Sequence, residues 1–358
     1  MAKVKSTTEY EIKDQIQHVY DLPDTYIGSD RKHTEDLWIY DEAANVMRKE
    51  TVEYVPGFLK IFDEIIVNTL DHIVRLKDEK NSNGDTADIK DVKEIRVSID
   101  KDTGVITVFN NGNGVDVEKH PVHGIYIPEM IFGNLLSSSN YTKGVTRITG
   151  GKNGIGSKAT NIFSKWFRVE TVDHRRKKLY KQEFKDNMRV KTEPSITYCA
   201  KYPYSKFEFL PDYERFGFAD GKLTDGMYKI FTKRVYDMCA CTPTNVKVFF
   251  NDKKLEYKDF EQYVDLYLGD KKENPRAVYK SERWEVIVGA ALGDSFEHMS
   301  CVNGINTIDG GKHVDHVVNQ ITKKLAEVIV KKRKVKAVKP VHIKDNISVF
   351  VKSVIENT

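Results

Sequence analysis

The sequence predicts an α+β chain of two units, and three observations carry that prediction. At 358 residues and about 150 residues per domain, the chain is too long for one small module. One long helical pattern is followed by short β-rich runs with little helix between them, which suits a sheet covered by helices rather than a strictly alternating fold. A polar stretch after Leu268-Gly269-Asp270 then separates a second set of strands around one more long helix. The expected boundary is near residue 262, giving units of 1–262 and 263–358.

In chain order, the breaker pair Pro56-Gly57 opens a helix expected to run to about Lys77. Residues 78–92 are polar and read as a solvated connection. Alternation at Glu94–Asp100 and Val105–Phe109, with Asp102-Thr103-Gly104 between, predicts an antiparallel hairpin. Trp166–Thr171, Lys178–Phe184 and Lys206–Leu210 read as strands of the same sheet, and Val246–Phe250 as a strand entering the turn Asn251-Asp252-Lys253. In the second unit, strands are expected at Trp284–Ala291 and near His298–Val302. A helix is expected from His313 to about Lys332, and an apolar run closes the unit at Ile347–Ile355.

Composition narrows the function classes. Hydrophobic residues at 40% and charged residues at 31% fit a folded chain rather than a disordered one. No apolar stretch is long enough for a membrane span, and the polar start Met1-Ala2-Lys3-Val4-Lys5 lacks the apolar core of a secretory signal. Cys199, Cys239, Cys241 and Cys301 are too scattered for a disulfide framework and read as core thiols of a reducing compartment. Cys239 and Cys241 as half a metal site is the alternative. The net charge of +4 is uneven: residues 322–344 hold nine Lys or Arg against Glu327 alone, a net +8, leaving −4 for the remainder. A basic segment on a mildly acidic body suits a polyanion contact, and a solvated helix end is the alternative.

Three constellations carry chemistry. In the helix at 57–77, apolar residues surround most of the circumference, yet Glu64, Asn68 and Asp71 share an arc of roughly 60°. A polar stripe on a buried helix must face a cavity, a metal or buried partners. Asn68 suits a hard cation such as Mg²⁺, and Glu64 suits activation of a water. Asn110, in Phe109-Asn110-Asn111-Gly112-Asn113-Gly114, can present the donor and acceptor pair that reads adenine. The third is the run Gly150-Gly151-Lys152-Asn153-Gly154-Ile155-Gly156-Ser157-Lys158, which enters a helix at Ala159–Phe163. Its glycines open backbone amides to an anion, the helix start adds partial charge, and Lys152 and Lys158 add whole charges. It lacks the Walker order of Lys then Ser/Thr. A Rossmann fingerprint, Gly154-x-Gly156-x-x-Ala159 with Asp173, is the decoy to exclude. Upstream, Ser137-Ser138-Ser139-Asn140-Tyr141 can hold ribose or phosphate oxygens, or simply cap a loop.

Together, Glu64-x-x-x-Asn68-x-x-Asp71, Asn110-Asn111-Gly112-x-Gly114 and Gly151-x-Asn153-Gly154-x-Gly156-x-Lys158 resemble the nucleotide site of the gyrase/Hsp90/histidine kinase/MutL superfamily. More narrowly, the chain resembles the N-terminal ATPase region of eukaryotic-type type IIA DNA topoisomerases. Asp24-Thr25-Tyr26-Ile27-Gly28-Ser29, Lys60-Ile61-Phe62-Asp63-Glu64 and Gly310-Gly311-Lys312-His313-Val314-Asp315 support the narrower match. The resemblance implies a Bergerat-type α/β sandwich, helices over a mixed sheet, followed by a transducer domain. It implies ATP with Mg²⁺ as cofactors and Glu64 as general base. It places Asn68 on Mg²⁺, Asp71 in the nucleotide site and Asn110 on adenine. Ser138, Ser139 and Asn140 fall to ribose and phosphate, and the loop Gly151, Lys152, Asn153, Gly154, Ile155, Gly156, Ser157, Lys158 to the phosphates.

It further implies an ATP-driven homodimer with an N-terminal arm around Tyr26 exchanged between copies, the remainder of a topoisomerase chain as partner, and capture of double-stranded DNA. The contact to DNA falls on Lys331, Lys332, Arg333, Lys334 and Lys336. The resemblance implies an intracellular address: the nucleus if the source is a eukaryote, the viral replication site or the host nucleus if it is a large DNA virus. His72 stands where close relatives have Asn, and Asn113-Gly114-Val115-Asp116 replaces Lys/Arg-Gly-Ile-Pro. The family's second domain carries a Gln-Thr-Lys loop shortly after an Ile-Glu-Asn-Pro stretch. Here the chain ends at Ile355-Glu356-Asn357-Thr358, so a transducer cut short of that lysine and slow hydrolysis are expected. A nucleotide-gated dimerisation or DNA-binding module with negligible turnover, or a MutL-like or Hsp90-like ATPase, is the alternative.

Overall fold

The computed structural model describes residues 13–82, 88–137, 148–151, 154–218, 220–257 and 259–356. The chain enters through α1 (Gln15–Asp21), whose first turn is capped by Asp14 accepting from the Gln17 amide, and α2 (Pro23–Tyr26), with proline at its first position. A hairpin of β1 (His33–Asp41) and β2 (Val46–Tyr54) follows. The sequence carried no expectation for it, because the solvent face dominates the start of β1 and blurs the alternation.

The predicted central helix is α3 (Pro56–Ser82), and it outruns its expected end. Leu76 is buried and continues the apolar face, and the next breaker pair after Pro56-Gly57 in the sequence is Asn83-Gly84. The polar connection expected to begin at residue 78 is therefore helical up to Ser82. β3 (Glu94–Ile99) and β4 (Ile106–Asn111) form the predicted hairpin, alternately buried and open along each strand. Asp100 accepts from the amides of Asp102 and Thr103 to make the turn.

Next come α4 (Ile127–Gly133), α5 (Gly156–Ile162), β5 (Ser164–Asp173), β6 (Lys178–Lys185), β7 (Val190–Lys191), β8 (Ser195–Tyr198) and β9 (Tyr204–Pro211). A long helix that the sequence did not signal, α6 (Asp225–Cys241), follows. Lys233, Arg234 and Asp237 are buried on it, which breaks the apolar period. β10 (Lys247–Phe250) and β11 (Lys253–Lys254) complete a nine-stranded sheet in the order β11-β10-β3-β4-β9-β5-β6-β7, with β8 beside β6. β10 runs parallel to β3 and the other pairs are antiparallel, so the sheet is mixed, as expected. Because β5 lies antiparallel to both β6 and β9, α5 opens no parallel crossover, and the Rossmann decoy is excluded.

The expected boundary at 262 falls inside α7 (Phe260–Leu268). Beyond it, β12 (Ala277–Lys280), β13 (Trp284–Ala290), β14 (Glu297–Val302) and β15 (Ile305–Asn306) lead to α8 (Lys312–Arg333), α9 (Pro340–Lys344) and β16 (Ile347–Ser353). These strands form a separate mixed sheet, β12-β13-β16-β14-β15, with β14 parallel to β16. A small core of Val286, Val314, Val317, Val318, Ile347, Val349 and Val351 lies under α8. The main core runs without a break from Phe58 and Phe62 on α3 through Phe260 and Tyr267 on α7 to Ile287, Met299 and Phe350. Cys241 and Cys301 meet across the two units with their sulfurs 3.0 Å apart. Among the described residues, no helix is long and apolar enough to cross a membrane.

Candidate functional site

A cavity of about 780 Å³ opens between α3, β4, β9, α5 and the strand β15 of the smaller sheet. The stripe predicted on α3 forms one wall: Glu64, Asn68 and Asp71 all line it, joined by Lys60, Val67 and His72. β4 and β9 make the floor, where Asn110 and Ser205 sit opposite one another in register. Asn110 is buried, and its amide donates to the Asn111 carbonyl at 3.2 Å. The opposing wall is the start of α5, with Gly154, Ile155, Gly156, Ser157 and Lys158, and the chain before it, Ile148 to Gly151. α5 is tied to α3 by the Thr160 hydroxyl donating to the Ile61 carbonyl at 2.8 Å.

Glu64 is held from two sides. Its Oε1 pairs with Lys60 Nζ at 2.5 Å, and only 18% of its side chain is exposed. Burial pushes its carboxyl above the ordinary range, and Lys60 offsets part of that rise. The other oxygen faces α5 so closely that a methyl on Gly156 would lie 1.7 Å from Glu64 Oε2. Position 156 must therefore lack a side chain for the carboxylate to sit where it does. Asp71 has a different neighbourhood. Its two oxygens accept from the Gly150 and Gly151 amides at 2.8 and 2.9 Å. Burial raises its carboxyl, and the two amides counter this in part.

Lys158 is almost wholly buried, its ammonium donating to the carbonyls of Ser137 at 2.5 Å and of Gly154. Burial lowers it to about 8. The Ser137 hydroxyl donates to the carbonyls of Met130 and Asn134, at 2.6 and 2.9 Å, which is loop capping. Ser138, Ser139, Asn140, Lys152 and Asn153 lie outside the described residues. Tyr26, with Thr25, lines the cavity of its own chain. Its hydroxyl meets His18 Nδ1 at 3.0 Å.

The two departures from the family pattern touch each other. His72 Nε2 donates to the Asn113 carbonyl at 2.8 Å, and burial depresses the imidazole to about 4, so it is neutral at pH 7. Asp116 pairs with Arg176 at 2.8 Å, and Arg176 also holds Asp173. Asp173 thus fastens the segment after Asn113, accepting from the Val117 amide at 2.9 Å.

Sequence reasoning missed Lys60, His72 as a wall and Ile305. Lys60 was findable, lying one helical turn before Glu64; Ile305 carried no signal. The basic run is not part of the cavity. Lys331, Lys332 and Arg333 form the exposed last turn of α8, Lys334 caps it with φ 54°, and Lys336 lies in the exposed loop beyond.

What the chain is similar to agrees with this geometry. The family model described as DNA gyrase B matches residues 259–358. A probable DNA topoisomerase 2 of Dictyostelium discoideum is 43% identical over 360 residues, covering 99% of this chain and 22% of that protein. The chain thus spans about a quarter or less of such curated relatives, 22% and 23% of the first two. The crystal structure of the ATPase region of Saccharomyces cerevisiae topoisomerase II is 38% identical with a TM-score of 0.87, covering 98% of this chain and 88% of that one. The ATPase and transducer domains of DNA topoisomerase II from Balamuthia mandrillaris are 37% identical, also at 0.87, covering 99% and 87%. With the helix-over-mixed-sheet architecture and these matches along nearly all its length, the chain belongs to the type II DNA topoisomerase family, in its ATPase region.

Proposed function

We propose that this chain binds and hydrolyses ATP as the clamp of a type II topoisomerase, closing as a homodimer on a DNA segment and resetting on hydrolysis. The observation that carries it is the convergence on one cavity of Glu64, Asn68 and Asp71 with Asn110 and the glycine-rich start of α5. Adenine would lie toward Asn110 and the phosphates toward Gly151–Lys158, where glycine amides and a helix start favour negative charge.

Glu64 accepts the proton of the attacking water, and Lys60 favours the ionised form of the buried carboxylate against the rise that burial causes. Lys158, between two carbonyls, keeps an ammonium at the phosphate end. Asn68 is the donor proposed for Mg²⁺, its amide oxygen lining the cavity while Glu64 is paired with Lys60 and Asp71 with two backbone amides. When bound there, the ion would supply neutralisation of phosphate charge.

The exposed run Lys331–Lys336 is the proposed contact to DNA phosphates. An N-terminal arm around Tyr26 is the proposed exchange segment. Residues 1–262 and 263–358 are the proposed ATPase and transducer domains of a longer enzyme working inside the cell. Glu64→Gln tests the reading: turnover should fall about 10² to 10⁴-fold, with binding of a non-hydrolysable ATP analogue nearly unchanged. Turnover within threefold of the parent would remove Glu64 from the base role.

A further inference from the structure

The cavity is not walled by the larger unit alone. Ile305 lines it, and Ile305 opens β15 in the smaller sheet. A methyl on Gly150 would lie 2.9 Å from Val67 Cγ1 and 3.0 Å from both Cγ1 and Cδ1 of Ile305. Gly150 is therefore gripped between α3 and β15. The amides of Gly150 and Gly151 are at the same time taken by the Asp71 carboxylate. Asp71 fixes where these amides point, and the two aliphatic side chains fix where they stand.

The turn that carries Ile305 is anchored in its own right. The Gly304 carbonyl accepts from Arg234 at 2.8 Å, and the Asn306 amide donates to Asp237 at 2.9 Å. Both partners lie on α6. Arg234 also pairs with Asp63, the neighbour of Glu64.

We propose that Ile305 is a positioning residue through which the smaller unit sets the backbone of Gly150 and Gly151, and with it the approach of the glycine-rich segment to a polyphosphate. The proposal rests on the nucleotide reading given above. Two successive glycines hold no conformation by themselves, and with both amides bound to Asp71 the grip fixes the path of the backbone rather than supplying donors to the phosphate. A contact from outside the larger unit therefore makes phosphate binding depend on where β14 and β15 stand. A shift of that hairpin by a fraction of an ångström changes the grip, because packed contacts lose much of their attraction over such gaps.

Hydrogen exchange at the Gly150 and Gly151 amides, with binding of the Mg²⁺ complex of adenylyl imidodiphosphate, tests it in the parent, Ile305→Ala, Gly150→Ala and the double variant. Ile305→Ala should speed exchange at those two amides by roughly tenfold while β16 amides keep their protection, and Ile305→Leu should restore it. Gly150→Ala alone should weaken the analogue by about tenfold or more. In the Ile305→Ala background the same change should cost about threefold or less, because the methyl can then shift away from Val67 Cγ1 into the space that Ile305 vacates. Strict additivity, or unchanged exchange at both glycines in Ile305→Ala, overturns the proposal. If the parent binds no analogue, the nucleotide reading fails, and exchange alone still upholds or overturns the grip.

Discussion

α3 and α8 are the two longest helices among the described residues, and they treat charge in opposite ways. α3 buries one long face, and the three acids set into or beside that face each meet a dedicated partner. Glu64 meets Lys60, Asp63 meets Arg234, and Asp71 meets two backbone amides. α8 buries only Val314, Val317, Val318 and Thr322, and its cations point to solvent. Its one ion pair among the described residues, Lys324 with Glu327 at 3.2 Å, is 77% and 55% exposed. A buried charge must be compensated locally, so each residue on α3 acts alone and strongly. Exposed cations are screened and interchangeable, so those on α8 act as a group and weakly.

The sharpest way to break this contrast is Arg234→Met. Arg234 is 3% exposed, and its loss strands the Asp63 carboxylate. We expect about 3–5 kcal/mol of destabilisation in urea unfolding, mostly recovered when Asp63→Asn is added. A cost under about 1 kcal/mol would mean that α3 tolerates charge as α8 does.

His72→Asn comes next. The folded imidazole titrates near 4 and the unfolded one near 6.5. Between those values the unfolded chain takes up a proton that the folded chain refuses, so the parent loses stability as the pH falls from about 6.5 to about 4. The loss reaches about 3 kcal/mol. The variant should lose that much less over the same window in paired denaturation curves, and identical acid profiles would remove His72 from the account.

Lys60→Met should act through Glu64. Without the ammonium, burial raises the carboxyl further, so the acid limb of the turnover profile moves to higher pH. Near neutrality, turnover drops roughly threefold to tenfold, about 1 kcal/mol; Lys60→Arg should keep the parent profile. An unmoved acid limb would break the link.

The smallest effect per residue belongs to α8 and its loop. Lys331, Lys332, Lys334 and Lys336 changed together to Ala should lower the salt slope of duplex DNA binding by roughly two to four. Stability should hold within about 0.5 kcal/mol. If the slope holds, DNA contacts another surface.

How much of this was legible follows from the same contrast. The stripe on α3 could be read because Glu64, Asn68 and Asp71 interrupt an otherwise apolar period, and all three line the cavity. The β3–β4 hairpin was legible from alternation around Asp102-Thr103-Gly104. α6 was hidden because buried Lys233, Arg234 and Asp237 mimic a polar segment, and only tertiary partners reveal them as core. Ile305 against Gly150, and Cys241 against Cys301, are meetings of distant segments with no local signature. Asp71 lines the cavity together with the rest of its stripe, but its hold on Gly150 and Gly151 depends on a chain path that no spacing encodes.

The contact between Glu64 Oε2 and Gly156 also bears on descent. The carboxylate occupies the space that any side chain at 156 would need, so the two positions constrain one another over evolutionary time. A lineage that traded the glutamate for a smaller residue would be released from this part of the requirement for glycine. A bulky residue at 156 in a sister gene would then mark a copy in which position 64 no longer holds a glutamate in this pose.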